Sequence, residues 1–209
     1  MLMHNAFPSQ FFVTGTGTDV GKTVVSAILT YGLKAAYWKP IQTGSEYGTD
    51  TFFVKKATQL PDHHFFSEAY CFSKPLSPHA AAKLEGVEID LDLIKIPQTS
   101  LPHLILEGAG GILVPLNSDQ TLLDLLRLLN IPILIVASTT LGTINHTLMT
   151  IECLRNAGIS ILGVVMNGPK NDVNAHAISH YGKVTILAEI EPLASVSPQH
   201  LLHAYQAFC

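Results

Sequence analysis

Short apolar runs that do not alternate with polar residues recur along the chain, at 11–14, 35–38, 104–106, 133–137, 161–166 and 184–187. They are rich in Val and Ile and are bounded by turn-forming residues, the pattern of strands covered on both faces. Between them lie stretches of helical length and composition, at 23–33, 49–59, 119–129, 143–157 and 173–181. The fourth closes on Asn156-Ala157-Gly158, which supplies a glycine at a helix end. Strands alternating with helices predict an α/β fold, a doubly wound, mostly parallel sheet. Ligands of such sheets gather at the carboxyl ends of the strands. No repeat, linker or low-complexity segment divides the chain, so one domain is expected over residues 1–209.

Composition narrows the partners. The 209 residues are 47% hydrophobic and 13% charged, with a formal net charge of −4, so neither nucleic acid nor an anionic membrane is an expected partner. No apolar run approaches the ~18 residues of a membrane-spanning helix. Residues 1–5 lack the basic region and apolar stretch of a secretory leader. Cys71, Cys153 and Cys209 form no closely spaced pair and read as free thiols, which together with the missing leader predicts a cytoplasmic protein. The ten histidines are scattered, and the one adjacent pair, His63-His64, reads as a solvated loop in preference to a metal site.

The chemistry concentrates at strand ends. After the first apolar run comes Gly15-Thr16-Gly17-Thr18-Asp19-Val20-Gly21-Lys22-Thr23, followed by a helical stretch. A glycine-rich turn between strand and helix presents backbone N–H groups and a positive helix end to a phosphate. Lys22 would reach the outer phosphates of a nucleotide, and the Thr23 hydroxyl would ligate Mg²⁺. This makes the predicted class P-loop NTPase-like, although five residues separate Gly15 from Gly21 where four are usual. The second run delivers Lys39-Pro40 and then Thr43-Gly44 to the same edge. A lysine after a strand is commonly a solvated surface residue, but at the functional edge it is a candidate catalytic cation. The third run ends in Glu107-Gly108-Ala109-Gly110-Gly111, an acid of the kind that serves Mg²⁺ in phosphate-loop enzymes. Asp50, opening a helix, either complements the helix dipole or adds a second carboxylate to the metal. Of twelve basic residues only Arg127 and Arg155 are arginine, so charge on a transferring phosphoryl group would fall to lysine and Mg²⁺.

These blocks, in this order, resemble the dethiobiotin synthetase family over nearly the whole chain. The resemblance rests on the glycine loop with its five-residue spacing, Lys39-Pro40 with Thr43-Gly44, Ser77-Pro78-His79, Glu107 with its glycines, Leu141-Gly142-Thr143-Ile144-Asn145-His146-Thr147, and Met166-Asn167. It implies closure of a cyclic urea from 7,8-diaminononanoate, CO₂ and ATP, through a carbamate that ATP phosphorylates. Lys39 and Lys22 would be catalytic. Nucleotide contacts would run along Thr18, Asp19, Val20, Gly21, Lys22, Thr23 and Val24. They would continue at Asp50, at Glu107, Gly108, Ala109 and Gly110, at Asn167 and Gly168, and at Glu191, Pro192 and Leu193. Mg²⁺ would be held by Thr23, Asp50 and Glu107. The diamine would meet Thr18, Lys39, Thr43, Ser77 and Pro78. Its distant carboxylate would meet the helix start at Gly142, Thr143, Ile144 and Asn145 of the second subunit of a homodimer. The competing class is a switch ATPase of the partition or septum-positioning type, which shares this fold. Such switches carry an early loop lysine, and here that place is held by Thr16, with no lysine before Lys22.

Overall fold

All six apolar runs become strands of one sheet. The structure, a computed structural model, describes residues 7–208; residues 1–5 and Cys209, used above for the leader and thiol expectations, lie outside the described residues. The elements run β1 (Gln10–Gly15), α1 (Lys22–Leu33), β2 (Ala36–Trp38), β3 (Ile41–Gln42), α2 (Asp50–Thr58), β4 (Phe65–Phe66), β5 (Tyr70–Cys71), α3 (Pro78–Leu84), β6 (Leu104–Gly111) and α4 (Leu122–Leu129). They continue with β7 (Ile133–Ser138), α5 (Thr143–Asn156), β8 (Ile161–Asn167), α6 (Asp172–Gly182), β9 (Ile186–Ile190) and α7 (Pro198–Tyr205). The main sheet has the order β4-β2-β6-β1-β7-β8-β9, and every neighbouring pair in it is parallel. β3 and β5 form a separate parallel pair beside it.

Alternation along the central strands divides the core into two layers. Phe11, Val13, Tyr37 and Ile105 pack with Val25, Ile28 and Leu29 of α1, Val54 of α2, and Leu201 and Tyr205 of α7. Phe12, Trp38, Leu104 and Leu106 face the opposite way, onto Leu122, Leu125 and Leu126 of α4, Ile151 and Leu154 of α5, and Ile178 of α6. Phe11, Phe12, Leu104 and Leu106 have no exposed surface. Each such side chain contributes about 1.5–3 kcal/mol of burial, which is why these runs are nearly all apolar, buried Thr14 being a polar exception.

The sheet, parallel throughout its described strands, agrees with the mostly parallel sheet expected. Several elements depart from the sequence expectation. β9 is displaced toward the C-terminus, so that Glu189 and Ile190 are strand residues. α4 starts at Leu122, because Thr121 caps it and the preceding residues form a turn in which Asn117 Oδ1 accepts from the Asp119 and Gln120 N–H groups. β3, β4 and β5, with two residues each, are too short to show a period. α3 and α7 were not expected either; both begin at a Ser-Pro pair, with proline at the helix start where its missing N–H costs nothing. His64 is buried, its Nδ1 2.8 Å from the Ala35 carbonyl, so it belongs to the core edge and not to a solvated loop. Among the described residues Cys71 and Cys153 are free thiols, and no helix is long and apolar enough to cross a membrane.

The α4 cap yields a test. Asp124 Oδ2 accepts from the Thr121 N–H at 2.8 Å and from its hydroxyl at 2.9 Å. The backbone bond, with the hydroxyl and Arg127 adding to it against slight burial, holds the Asp124 carboxyl below its ordinary pKa. A depressed carboxylate stabilises the fold above its unfolded pKa and loses that contribution as pH falls through the folded value. Asp124→Ala is expected to cost about 1 kcal/mol at neutral pH, with the deficit shrinking below about pH 4. Denaturant titrations of both proteins at neutral pH and at pH 3 measure this; a deficit unchanged at pH 3 would assign the effect to something other than the carboxylate charge.

Candidate active site

β1 ends at Gly15 and α1 begins at Lys22, leaving the glycine-rich loop at the carboxyl edge of the sheet. Gly21 sits at φ 92°, and a Cβ there would lie 2.0 Å from Nδ2 of Asn167, so both conformation and space require glycine. Asn167, the last residue of β8, donates that Nδ2 to the Val20 carbonyl at 3.1 Å and braces the loop from the neighbouring strand. Val20 itself is buried in the α1-side core. Lys22 closes the loop from inside, its Nζ donating to the Gly17 carbonyl at 2.9 Å. Burial, reinforced by the like charge of Lys39, pulls the Lys22 pKa below the ordinary lysine value against the opposing pull of Glu107, Asp50 and Asp19.

The loop opens beside a buried ionic cluster. In the sheet Val13 is paired with Glu107, and Tyr37 with Ile105. Residues two apart on a strand share a face, so Glu107 lies on the same layer as Ile105 and Tyr37, beneath the first turn of α1. Its carboxylate is fully buried. Oε1 accepts from Thr23 Oγ1 at 2.8 Å and from Lys39 Nζ at 3.3 Å, and Oε2 accepts from the Tyr37 hydroxyl at 3.0 Å. Lys39, leaving the end of β2, also donates to Oδ2 of Asp50. Burial lowers the Lys39 pKa, but Glu107 and Asp50 more than offset it, and the group lies above the ordinary lysine value and stays charged. Burial and then the Glu107 charge raise the Tyr37 phenol well above its usual pKa, leaving it a donor.

Asp50 is held in turn. Thr49 caps α2 by accepting the Phe52 N–H at 3.1 Å, and the Asp50 N–H donates to Oε1 of Gln42 at 3.0 Å. Gln42 is buried in β3, which the pairing with β5 fixes in place.

A cavity of about 900 Å³ covers this cluster. It gathers Thr18, Asp19, Gly21, Lys22, Thr23, Val24, Lys39, Thr43, Asp50, Ser77, Pro78, Glu107, Ala109 and Gly110, fourteen of the expected site residues on one wall system. Val20 and Gly108 stand behind it. A Cβ on Gly108 would lie 2.7 Å from the Phe12 ring, so sheet packing alone accounts for that glycine. Asn167 ends β8 and Gly168 follows it; the Gly168 N–H donates to the Ile190 carbonyl at 2.9 Å, which sets them next to Glu191, Pro192 and Leu193 beyond β9. Gly142, Thr143, Ile144 and Asn145 start α5 at the same edge of the sheet, outside the cavity. Thr143 is buried and donates its hydroxyl to the Ser138 carbonyl, so its side chain anchors the helix to β7 and does not face a ligand.

A second, more apolar groove of about 1080 Å³ runs from Thr16, Gly17, Thr18 and Gly110 along α5, past Leu148, Met149 and Ile151. Both arginines border this groove and not the phosphate cavity. Arg127 pairs with Asp124 at 3.0 Å, and Arg155 donates to the Lys183 carbonyl at 2.9 Å. Sequence reasoning gave no role to Tyr37 or Gln42. The one local signal was a phenol and an amide in otherwise apolar strands; their partners, the Glu107 carboxylate for Tyr37 and the Asp50 N–H for Gln42, are set by tertiary register.

The parallel sheet, the strand-loop-helix and the strand-end acid define a P-loop NTPase-type protein. A family model described as an AAA domain matches residues 9–200. The ATP-dependent dethiobiotin synthetase BioD of Paramagnetospirillum magneticum is 52% identical over 89% of each chain, and that of Lawsonia intracellularis 48% identical over 90% of each. The chain belongs to the dethiobiotin synthetase family. Among solved structures, the septum site-determining protein MinD of Pyrococcus horikoshii, complexed with Mg-ADP, shares the fold with a TM-score of 0.56 at 15% identity, covering 97% of this chain and 93% of that one. That likeness is one of fold.

The ionic cluster makes a stability prediction. Removing one partner of a buried pair leaves the other charge uncompensated, at a cost of about 3–5 kcal/mol. Lys39→Met should fall in that range, and Lys39→Gln, which keeps an N–H donor, should lose less. Urea midpoints of the three proteins should therefore rank wild type, then Lys39→Gln, then Lys39→Met; coincident midpoints would show that Glu107 does not depend on Lys39 for its burial.

Proposed function

We propose that this chain is an ATP-dependent cyclo-ligase that forms the ureido ring of dethiobiotin from 7,8-diaminononanoate, CO₂ and ATP, a step of biotin synthesis. Family membership supports the activity, and one structural observation carries its mechanism. Lys39 arrives from outside the phosphate loop and stands with Lys22, Asp50 and Glu107 in a single cavity. A kinase-like transfer to a carbamate oxygen calls for such a second fixed cation, because an anionic oxygen must approach an anionic phosphoryl group while negative charge passes to the departing ADP.

In this reading the loop N–H groups from Thr18 to Val24, with Lys22 and the Ala109–Gly110 backbone, hold the triphosphate. Asn167, Gly168 and the 191–193 segment hold the base. Thr23, Asp50 and Glu107 suit Mg²⁺: they offer hard oxygen donors only. Among the described residues there is no group of three or more His, Cys, Asp or Glu able to cage an ion, as expected for a cation that keeps water and phosphate ligands. Mg²⁺ bound there would neutralise phosphate charge. Lys39 turns from the two carboxylates to the carbamate and the transferring phosphoryl group. Thr18, Thr43, Ser77 and Pro78 orient the diamine so that its second amine lies beside the activated carbon; attack then expels phosphate and closes the ring. Holding the two amines at one carbon replaces a bimolecular encounter by a positioned one.

The reading includes a homodimer. Leu141, Met149 and Tyr181, exposed in the single chain at and beside α5, support a covered face there. At the start of α5 the Thr143 N–H is taken by the Thr140 carbonyl, but the first N–H groups of a helix lack intrahelical acceptors, which supports capture of the diamine's remote carboxylate by the partner subunit. The 209 residues act as one domain, and the expected place of work is the cytoplasm.

Radiolabelled bicarbonate supplies the test. Label should enter a cyclic urea only with both ATP and 7,8-diaminononanoate present, and ADP release should require the diamine. Rapid ATP hydrolysis without diamine, or unlabelled product, would refute the ligase reading. Lys39→Gln should reduce kcat by about 10²–10³, the scale of one lost transition-state donor, while leaving ADP affinity near the wild-type value.

A further inference from the structure

Tyr37 has no part in the chemistry described so far, yet it contacts the central carboxylate from behind. Its ring has no exposed surface and lies in the layer formed by Val13, Ile28, Val54 and Ile105. Its hydroxyl donates to Oε2 of Glu107 at 3.0 Å, while Oε1 faces Thr23 and Lys39. The terminal torsion of a glutamate is broad and roughly two-fold, so the side chain alone does not fix the carboxylate plane. The two donors on Oε1 belong to the groups that engage phosphate and substrate and must move or share their bonds as ligands arrive. The Tyr37 donor reaches Glu107 from the core, and β2 register sets its place opposite Ile105. One oxygen is thereby held on the core side and the other is presented to the cavity.

We propose that Tyr37 is a positioning residue, which fixes the plane of the Glu107 carboxylate so that Oε1 is presented to Mg²⁺ and the Thr23 hydroxyl. This rests on the reading that Glu107 serves Mg²⁺. Outer partners of metal ligands commonly contribute 10–100-fold to metal affinity or activity, which sets the scale of the effect.

The experiment measures ADP binding by calorimetry across an Mg²⁺ series, for the wild type, Tyr37→Phe and Glu107→Gln. Phenylalanine keeps the ring and removes the donor. Tyr37→Phe should bind ADP without Mg²⁺ as the wild type does, but need about tenfold more Mg²⁺ to reach half of the metal-dependent gain. Glu107→Gln should lose most of that gain. A wild-type Mg²⁺ midpoint in Tyr37→Phe, beside a responsive Glu107→Gln, overturns the positioning role and leaves Glu107 as read. Equal weakening of ADP with and without Mg²⁺, or a Tyr37→Phe chain that no longer folds, assigns the hydroxyl to packing and overturns the proposal. A Glu107→Gln response equal to wild type removes both the reading of Glu107 and the proposal built on it.

Discussion

The carboxylate of Glu107 is the constraint around which the functional half of this molecule is arranged. It has no exposure to water. Taking such an ion out of water costs several kcal/mol even after relaxation, unless a counter-charge and hydrogen bonds are waiting. Here Lys39 supplies the charge, and Thr23 and Tyr37 supply the bonds. Those three side chains come from the end of β2, the first turn of α1 and the middle of β2, while Glu107 comes from β6. Lys39 then draws in Asp50 at the start of α2. Satisfying one buried charge therefore fixes the mutual positions of two central strands and two helix starts. These are the pieces that a nucleotide site must hold still.

Parallel topology makes this convergence possible. Strands running the same way bring their carboxyl ends to one edge, and the two-residue alternation sends Val13, Tyr37, Ile105 and Glu107 to one face. The α1 helix covers that face, so its first turn lands on the acid. The accessory β3–β5 pair completes the arrangement. It presents Gln42, whose amide oxygen takes the Asp50 N–H. An irregular excursion between β2 and α2 thus becomes a positioned one without a long element of its own.

What could be read in the chain follows from where each signal resides. The central strands were legible because burial on both faces leaves unbroken Val and Ile runs. The loop was legible because Gly21 and Lys22 answer to backbone conformation and charge, which are local properties. Lys39, Asp50 and Glu107 were legible as strand-end or helix-start residues once the topology was assumed. β4 and the β3–β5 pair were not, since two residues show no period and their pairing is decided by tertiary contacts. α3 and α7 hid behind short polar segments, although Ser77-Pro78 and Ser197-Pro198 mark a helix start in principle. The reach of Tyr37 to Glu107 needs the register of β2 against β6, which no local pattern carries. The Thr143 hydroxyl, for which the sequence suggested no particular use, anchors α5 to the Ser138 carbonyl.

The charge count of the site bears on how it can work without arginine. Lys22 and Lys39 share the cavity with Asp19, Asp50 and Glu107, so its charged side chains sum to −1. Both arginines are engaged elsewhere, with Asp124 and with the Lys183 carbonyl. A triphosphate entering this cavity brings negative charge that the protein's own groups do not cancel. The required positive charge must come in with the nucleotide, or be released by changing partners inside the cluster. The proposed Mg²⁺ would do the first, and the proposed turning of Lys39 the second. In the proposed reading, a divalent cation held by Asp50 and Glu107 would relieve those carboxylates of their need for the ammonium and free it for the carbamate. On that reading the buried ion pair would share its carboxylates with the metal cation. This would couple Lys39's contribution to stability to its proposed role in catalysis, so that a substitution there would alter both.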